Sequence, residues 1–137
     1  MEQSKLAEMT PTAAAFAEKA LSQAGKPYVF GAEVALEDPS PKAFDCSELV
    51  QWAAAQVGGF MPDGSAQQML HCQKARTDIA VEQAFLVRGA LLFRPGHVAI
   101  SLGDGRTIEA RGKEYGVGVF AERHTWTTGA LVPGLRY

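Results

Sequence analysis

The spacing of apolar residues changes once along the chain, from a helical period to strict alternation. Residues 13–24 carry one apolar stripe of an amphipathic helix, and residues 46–57 repeat that spacing. From residue 85 onward, short β-prone runs are divided by glycines and prolines. Because helices come first and strands second, the pattern predicts an α+β fold with N-terminal helices packed on a C-terminal antiparallel sheet.

Cap signals at the start of the chain set the bounds of the first helix and of the domain. Residues 1–9 are polar and patternless, which predicts a flexible N-terminal arm before a single domain at residues 10–137. Thr10 is predicted as the N-cap of the first helix, and Pro11 as its first residue. Gly25 is predicted to end this helix in a left-handed conformation.

Two further helices are predicted from their caps. Asp45 precedes the second apolar stripe and is predicted as its N-cap, and the two glycines at residues 58–59 are predicted to end that helix. Ser65 and Gln68 have the spacing of a capping box, which predicts a third helix through about residue 74.

The second half of the chain contains five runs with the composition and alternation of strands. They are predicted at residues 90–94, 97–102, 106–110, 117–120 and 131–136.

Composition excludes several classes of function. The chain of 137 residues has a formal net charge of -2, which does not suit a nucleic-acid binder. No apolar run reaches the roughly 18 residues that span a bilayer, so we expect no membrane association. Cys46 and Cys72 are too few for a disulfide-stapled scaffold and are expected to be free. We expect a monomer.

Cys46 falls in the first turn of the predicted second helix, where it could act as a nucleophile. The positive end of the helix dipole favours the thiolate, which is the reactive form. Unpaired backbone N–H groups in the same turn could stabilise an oxyanion. Taken alone, however, a cysteine on an apolar stripe is more often a buried core residue.

His97 is the histidine best placed to act as a base, because it opens a predicted strand directly after a Pro-Gly turn. His71 and His124 are alternatives, on the short third helix and in an irregular segment. A metal site is not expected, because His71 and Cys72 are adjacent without a second ligand pair at metal-binding spacing.

The register of one predicted hairpin decides whether a carboxylate can orient His97. The turn at residues 102–106 could have a two-residue loop, which would put His97 and Glu109 on opposite faces of the sheet. A three-residue loop would instead place Ala99 opposite Glu109 and His97 diagonally beside it, within side-chain reach. The second register separates a small, polar face from an aliphatic one, and is therefore favoured. Without His97 nearby, Glu109 would be a solvated strand charge.

Residues 25–28 read G-K-P-Y, residues 44–50 F-D-C-S-E-L-V, residues 65–68 S-A-Q-Q and residues 97–105 H-V-A-I-S-L-G-D-G. In this order the four segments resemble motifs of the NlpC and p-sixty family of cell-wall cysteine endopeptidases. Residues 44–50 resemble the family box D-C-S-G-[LF]-V, and residues 97–105 are similar to H-V-[GA]-I-Y-L-G-[ND]-G. Residues 25–28 resemble the family's G-x-P-Y segment, and residues 65–68 its next helix opening. The resemblance covers roughly residues 10–136, and four motifs in register are far more specific than one.

The resemblance implies a papain-like fold and assigns a role to three residues. Cys46 would attack an amide, His97 would protonate the leaving amine, and Glu109 would orient His97. The family often has histidine at this third position and glutamate in some mycobacterial-type members. A carboxylate suits the role because it fixes the imidazole tautomer and stabilises its protonated form.

The same resemblance places Tyr28, Asp45 and Ser47 around the substrate, with the Tyr28 hydroxyl near the thiol. The alternative roles are a packed loop aromatic for Tyr28 and a plain helix cap for Asp45. Glu48 departs from the family, which has glycine at that position of the box. Its negative charge would oppose the thiolate and would alter the pocket.

The function implied is that of a cysteine endopeptidase that cuts peptidoglycan stem peptides, at the bond from γ-D-glutamate to diaminopimelate, with no metal and no cofactor. An alternative of a different class is a domain that binds wall peptides without cutting them, with Glu48 blocking the pocket. The localisation stays open, because a phage lysin (endolysin) or tail enzyme, an injected toxin and a wall-remodelling domain of a longer protein all fit the sequence.

Overall fold

A six-stranded antiparallel sheet forms the centre of the molecule. The computed structural model describes residues 10–122 and 125–137, so the predicted arm at residues 1–9 lies outside the described residues. The helices are α1 (Ala13–Leu21), α2 (Cys46–Gln56), α3 (Ser65–Lys74) and α4 (Val81–Ala84). The strands are β1 (Asp78–Ile79), β2 (Leu91–Arg94), β3 (His97–Ser101), β4 (Thr107–Ala110), β5 (Val117–Phe120) and β6 (Thr128–Ala130).

The strands follow the order β1-β6-β2-β3-β4-β5 across the sheet. Strands β2 and β3 form a tight hairpin in which Arg94 lies opposite His97. Strand β3 then pairs with β4 in the register that sets Ile100 opposite Ile108 and Ser101 opposite Thr107. This is the register of the three-residue loop, which confirms the hairpin prediction.

Both faces of the sheet are covered. Helices α1 and α2 bury one face under a large apolar cluster that includes Phe16, Leu49, Phe93 and Ile100. The short helix α4 and the segment around residue 126 cover the other face with a smaller cluster, whose members include Phe85, Leu92, Ala99 and Trp126. Within the described ranges, no helix is long and apolar enough to cross a membrane.

The start of α2 is as predicted. Asp45 is the N-cap, and its Oδ1 accepts a hydrogen bond of 2.8 Å from the Glu48 N–H. Cys46 is therefore the first residue of the helix. At the other end Gly58 adopts a φ of +87°, which a residue with a side chain rarely takes, so the helix ends where the two glycines predict.

The predicted cap of α1 was wrong by two residues. Thr12, not Thr10, is the N-cap, and its hydroxyl accepts from the Ala15 N–H at 3.1 Å. Pro11 lies before the helix because its carbonyl accepts from the Arg136 N–H at 2.8 Å. Pairing with the C-terminal segment thus holds this stretch extended, and the local helix signal at Pro11 is overridden.

The capping box of α3 was also wrong, although its bounds were right. Gly64 is the N-cap and offers no side chain, and Ser65 is already helical. Gln68 does not bond back to the cap, because its buried amide donates to the Ser47 and Pro62 carbonyls, at 3.0 Å each. The side chain that would close the box instead joins α3 to the start of α2.

The last strand lies earlier than predicted. Residues 131–136 are not a strand, because Pro133 and Gly134 break the run, and β6 spans Thr128–Ala130. Gly129 permits this placement, since a Cβ there would sit 2.7 Å from the Cβ of Ala84 in α4. Strand β1 and helix α4 were not predicted, because two and four residues are too short to show a period.

Candidate active site

The thiol of Cys46 lies at the N-terminal end of α2, against the turn between β2 and β3. Its Sγ is 3.8 Å from the Gly96 carbonyl oxygen. Cys46 is 8% exposed, whereas Cys72 is 0% exposed and buried in the core. Both cysteines are free. Cys46 is therefore less completely buried than Cys72, and it lies at the start of a helix.

His97 follows Gly96 directly, which brings its imidazole to the same place. The Nε2 atom of His97 lies 2.8 Å from Oε1 of Glu109, and both side chains are buried. With Nε2 engaged by the carboxylate, Nδ1 is the ring nitrogen left for the Cys46 thiol. The structure thus brings together the three residues that the sequence analysis assigned to catalysis.

The surroundings of His97 favour its charged form. Burial lowers the pKa of the imidazole, but hydrogen bonds to Cys46 and to Glu109, together with their negative charges, more than offset this effect. The net result is a pKa raised above the ordinary value of 6.5. The protonated imidazole is therefore the form of His97 that this site stabilises.

Glu109 has a second buried partner that the sequence analysis did not identify. The Thr107 hydroxyl donates to Oε2 of Glu109 at 2.5 Å. The two residues are neighbours on one face of β4, so their spacing of two was the available signal. Both oxygens of the carboxylate are consequently held in place.

Trp126 shields the imidazole from the other side, and it too was missed. Its ring stacks on His97 with centroids 5.7 Å apart and an interplanar angle of 22°. The indole Nε1–H donates to the Glu122 carbonyl at 2.9 Å. Trp126 lies in an irregular segment before β6, where no periodic pattern predicts its position.

Tyr28, Asp45 and Ser47 gather next to the thiol. Backbone bridging between Tyr28 and Phe44 fixes the tyrosine beside the start of α2. Burial and then the charges of Cys46 and Asp45 raise the pKa of the Tyr28 hydroxyl. Asp45 serves as the helix cap and also accepts a hydrogen bond of 3.2 Å from the Ser47 hydroxyl.

Glu48 is buried and holds a surface loop against α2. Its Oε2 accepts a hydrogen bond of 2.9 Å from the Val34 N–H. The pKa of Glu48 is raised to about 7, and burial is the largest cause. The hydrogen bond from the Val34 N–H lowers this pKa, while a hydrogen bond with Asp63 and the charges of Asp63 and Asp45 raise it. At neutral pH the carboxyl is therefore partly protonated, which reduces the charge that it would set against the thiolate.

The two histidines considered as alternative bases are not among the residues described at this site. His71 packs against Phe60, with ring centroids 5.5 Å apart, and His124 lies outside the described residues. Among residues 10–122 and 125–137, no group of three His, Cys, Asp or Glu side chains could hold a metal ion. At the site itself, the Cys46 thiol and the His97 imidazole are groups that can act as a nucleophile and as a base.

A helix that begins with a cysteine and packs on an antiparallel sheet carrying a histidine defines a papain-like α+β fold, as the sequence analysis predicted. The model of the NlpC/P60 family matches residues 25–132, and the chain belongs to this family. The family resemblance inferred from the four motifs is thereby confirmed.

Two curated relatives come from Corynebacterium glutamicum, and each is named a "Probable endopeptidase". The relative from strain R is 33% identical over 111 residues, covering 79% of this chain and 47% of the relative. The relative from strain ATCC 13032 is 35% identical over 102 residues, covering 72% of this chain and 43% of the relative. The chain thus spans less than half the length of these relatives.

Several solved structures are similar to this chain in fold. The peptidoglycan hydrolase RipB from Mycobacterium tuberculosis matches with a TM-score of 0.75 and 30% identity, over 91% of this chain and 65% of RipB. The P60 domain of antigen MAP1204 from M. avium subspecies paratuberculosis matches with a TM-score of 0.74 and 29% identity, over 91% and 96% of the two chains. The NlpC/p60 domain of the peptidoglycan hydrolase SagA matches with a TM-score of 0.69 and 33% identity, over 87% and 97%.

Proposed function

We propose that this domain is a cysteine endopeptidase that hydrolyses an amide bond in peptidoglycan stem peptides. The observation that carries the proposal is the position of His97, which contacts Cys46 on one side and Glu109 on the other. The substrate class is supported by relatives that are named peptidoglycan hydrolases and endopeptidases. The bond that we propose is the one from γ-D-glutamate to diaminopimelate.

In the acylation step, the Cys46 thiolate attacks the carbonyl carbon of the scissile amide. The oxyanion that forms accepts a hydrogen bond from the backbone N–H of Cys46, in the first turn of α2. Protonated His97 then gives its proton to the amide nitrogen, and the C–N bond breaks. The products of this step are a free amine and a thioester on Cys46.

In the deacylation step, His97 is neutral and acts as the base. It takes a proton from a water molecule, whose oxygen attacks the thioester carbonyl. The C–S bond breaks and releases a carboxylic acid, while Cys46 leaves as the thiolate and His97 is again protonated. Glu109 keeps the ring in one orientation and one tautomer through both steps.

Tyr28, Asp45 and Ser47 line the approach to the thiol in this proposal. The Tyr28 hydroxyl is close enough to Cys46 and Asp45 to feel their charges, so it can donate a hydrogen bond to the substrate beside the reacting carbonyl. Asp45 combines the cap of α2 with a carboxylate on the substrate side, and Ser47 is bonded to it.

The test uses purified cell walls and mass analysis of the fragments released. We expect Cys46→Ala to abolish release while leaving the circular dichroism spectrum unchanged. Cys72→Ala is the matched control, because this cysteine is buried in the core and should retain activity. Fragments ending in γ-D-glutamate would identify the bond. Full activity in Cys46→Ala would overturn the proposal.

A further inference from the structure

Arg94 and His97 are cross-strand neighbours at the tip of the β2–β3 hairpin, where they lie directly opposite each other. Directly opposite residues project their side chains from the same face of a sheet, with Cβ atoms about 5 Å apart. The turn between them also reaches the thiol, since the Gly96 carbonyl oxygen is 3.8 Å from the Cys46 Sγ. The side chain of Arg94 therefore starts beside the imidazole of His97.

The indole of Trp126 lies against both members of this pair. Its ring stacks on the His97 imidazole with centroids 5.7 Å apart, and the guanidinium carbon of Arg94 is 5.0 Å from the centroid of its ring. A guanidinium at this distance is attracted by the negative face of an indole. Arg94 Nη1 also donates to the Thr125 hydroxyl at 2.6 Å, so the same side chain holds the residue before Trp126. Arg94 thus joins β2 to the segment that carries the indole.

The imidazole of His97 must keep one orientation to serve both of its partners. Its Nε2 is bound to Glu109 at 2.8 Å, which leaves Nδ1 for Cys46. The torsion that turns a histidine ring about its Cβ–Cγ bond has broad minima, so the side-chain torsion itself fixes the ring only loosely. A flat indole at an interplanar angle of 22° to the imidazole restrains that rotation.

We propose that Arg94 is a positioning residue for catalysis, which holds the indole of Trp126 against the imidazole of His97. The inference rests on the proposed function and extends it to a residue that acts through another side chain. What the position requires is a cation on a long stem. Lysine should therefore replace arginine in large part, whereas an uncharged side chain should not.

The kinetic test compares Arg94→Met with Arg94→Lys in hydrolysis of the soluble tripeptide L-Ala-γ-D-Glu-meso-diaminopimelate. Methionine keeps an unbranched apolar stem and removes the charge. We expect kcat to fall about fivefold in Arg94→Met with KM unchanged, because the attraction between cation and indole is lost. Arg94→Lys should restore most of kcat. Lys19→Met is the matched control, since Lys19 lies over the other tryptophan, Trp52, at 5.7 Å. This control should keep the wild-type kcat.

A second measurement follows the stacking itself and needs no activity. The ring current of the indole shifts the NMR resonances of the His97 ring protons, and Trp126→Leu gives their positions without it. In Arg94→Met we expect these resonances to move part of the way toward those of Trp126→Leu. In Arg94→Lys and in Lys19→Met they should stay close to the wild-type positions.

Three results would overturn this role of Arg94 while leaving the proposed function intact. The first is a wild-type kcat in Arg94→Met. The second is a reduced kcat with unmoved His97 resonances, because Arg94 would then act by a route other than the indole. The third is a raised KM with unchanged kcat, which would make Arg94 a substrate contact. If the folded wild type cleaves neither the tripeptide nor purified cell walls, the proposed function fails, and the role of Arg94 in catalysis fails with it.

Discussion

The hydroxyl of Thr107 donates a hydrogen bond to Glu109 across 2.5 Å, on a face of β4 that is closed to solvent. The other oxygen of Glu109 is bound to His97, so the carboxylate has no freedom to rotate away from the ring. A chain of contacts runs from the thiol through the imidazole and the carboxylate to this hydroxyl. Thr107, the last residue of this series, touches no reacting atom and acts only by positioning Glu109.

Replacing Thr107 by valine keeps the shape of the side chain and removes the hydroxyl. We expect kcat to fall by about five- to tenfold with KM unchanged, because one buried hydrogen bond that orients Glu109 is lost. Thr107→Ser keeps the hydroxyl and should restore most of the rate. A change in KM alone, or no rescue by serine, would show that packing rather than the hydrogen bond is what matters.

Variants of His97 and Glu109 should differ in severity. His97→Ala removes the proton carrier, and we expect a loss in kcat/KM of about a thousandfold. Glu109→Gln leaves an oxygen that can still accept from Nε2–H, so the loss should be smaller, about ten- to a hundredfold. The measurement is hydrolysis of a stem peptide at fixed pH. Wild-type rates in both variants would remove the pair from the mechanism.

The pKa of His97 should fall when Glu109 is neutralised. In the wild type this pKa is raised, so the folded state gains stability that is fully present below pH 6.5 and is lost as the pH rises through the folded-state pKa. Comparing Cys46→Ala with Cys46→Ala/Glu109→Gln isolates the carboxylate. NMR titration of the His97 ring should give a lower pKa in the double variant; an unchanged value would contradict the assigned cause.

Much of the site follows from local sequence, because local rules set the position of Cys46 and, separately, the pairing of His97 with Glu109. The N-cap at Asp45 fixes where α2 begins and hence puts Cys46 in the first turn. The loop length after β3 fixes the register that brings Glu109 to His97. These rules do not give the distance between Cys46 and His97, because that distance depends on how α2 packs on the sheet. The resemblance to a family supplied this information.

The features that were missed depend on contacts between distant segments. Thr12 replaces Thr10 as the helix cap because Pro11 is paired with Arg136 at the other end of the chain. Trp126 reaches His97 from a segment without periodicity, and Gln68 is drawn from its cap to the Ser47 carbonyl. For Thr12 and Gln68 a tertiary hydrogen bond outweighs a local capping preference that is worth about 1 kcal/mol, whereas at Trp126 the local sequence expresses no preference.

Alkylation should separate a catalytic domain from one that only binds wall peptides. Iodoacetamide reacts with thiolates, and burial raises the pKa of Cys72 to about 11, so this cysteine should label very slowly near neutral pH. We expect fast labelling of Cys46 instead, measured by peptide mass spectrometry. His97→Ala is the control and should slow labelling of Cys46. Equal, slow labelling of both cysteines would favour the binding module.

Glu48 should make the stability of the fold depend on pH. Its folded-state pKa of about 7 lies above the ordinary 4.5, so the folded state binds the proton more tightly than the unfolded chain does. The stabilisation is fully present below pH 4.5 and is lost as the pH rises through about 7. Glutamine at this position can still accept from the Val34 N–H and donate to Asp63 without titrating.

We therefore expect Glu48→Gln to match the wild type in free energy of unfolding at pH 4.5 and to exceed it at pH 8, by urea denaturation. Glu37→Gln removes the same charge from an exposed position of the neighbouring loop and is the control. A constant difference between Glu48→Gln and the wild type across this range would mean that Glu48 does not take up a proton on folding.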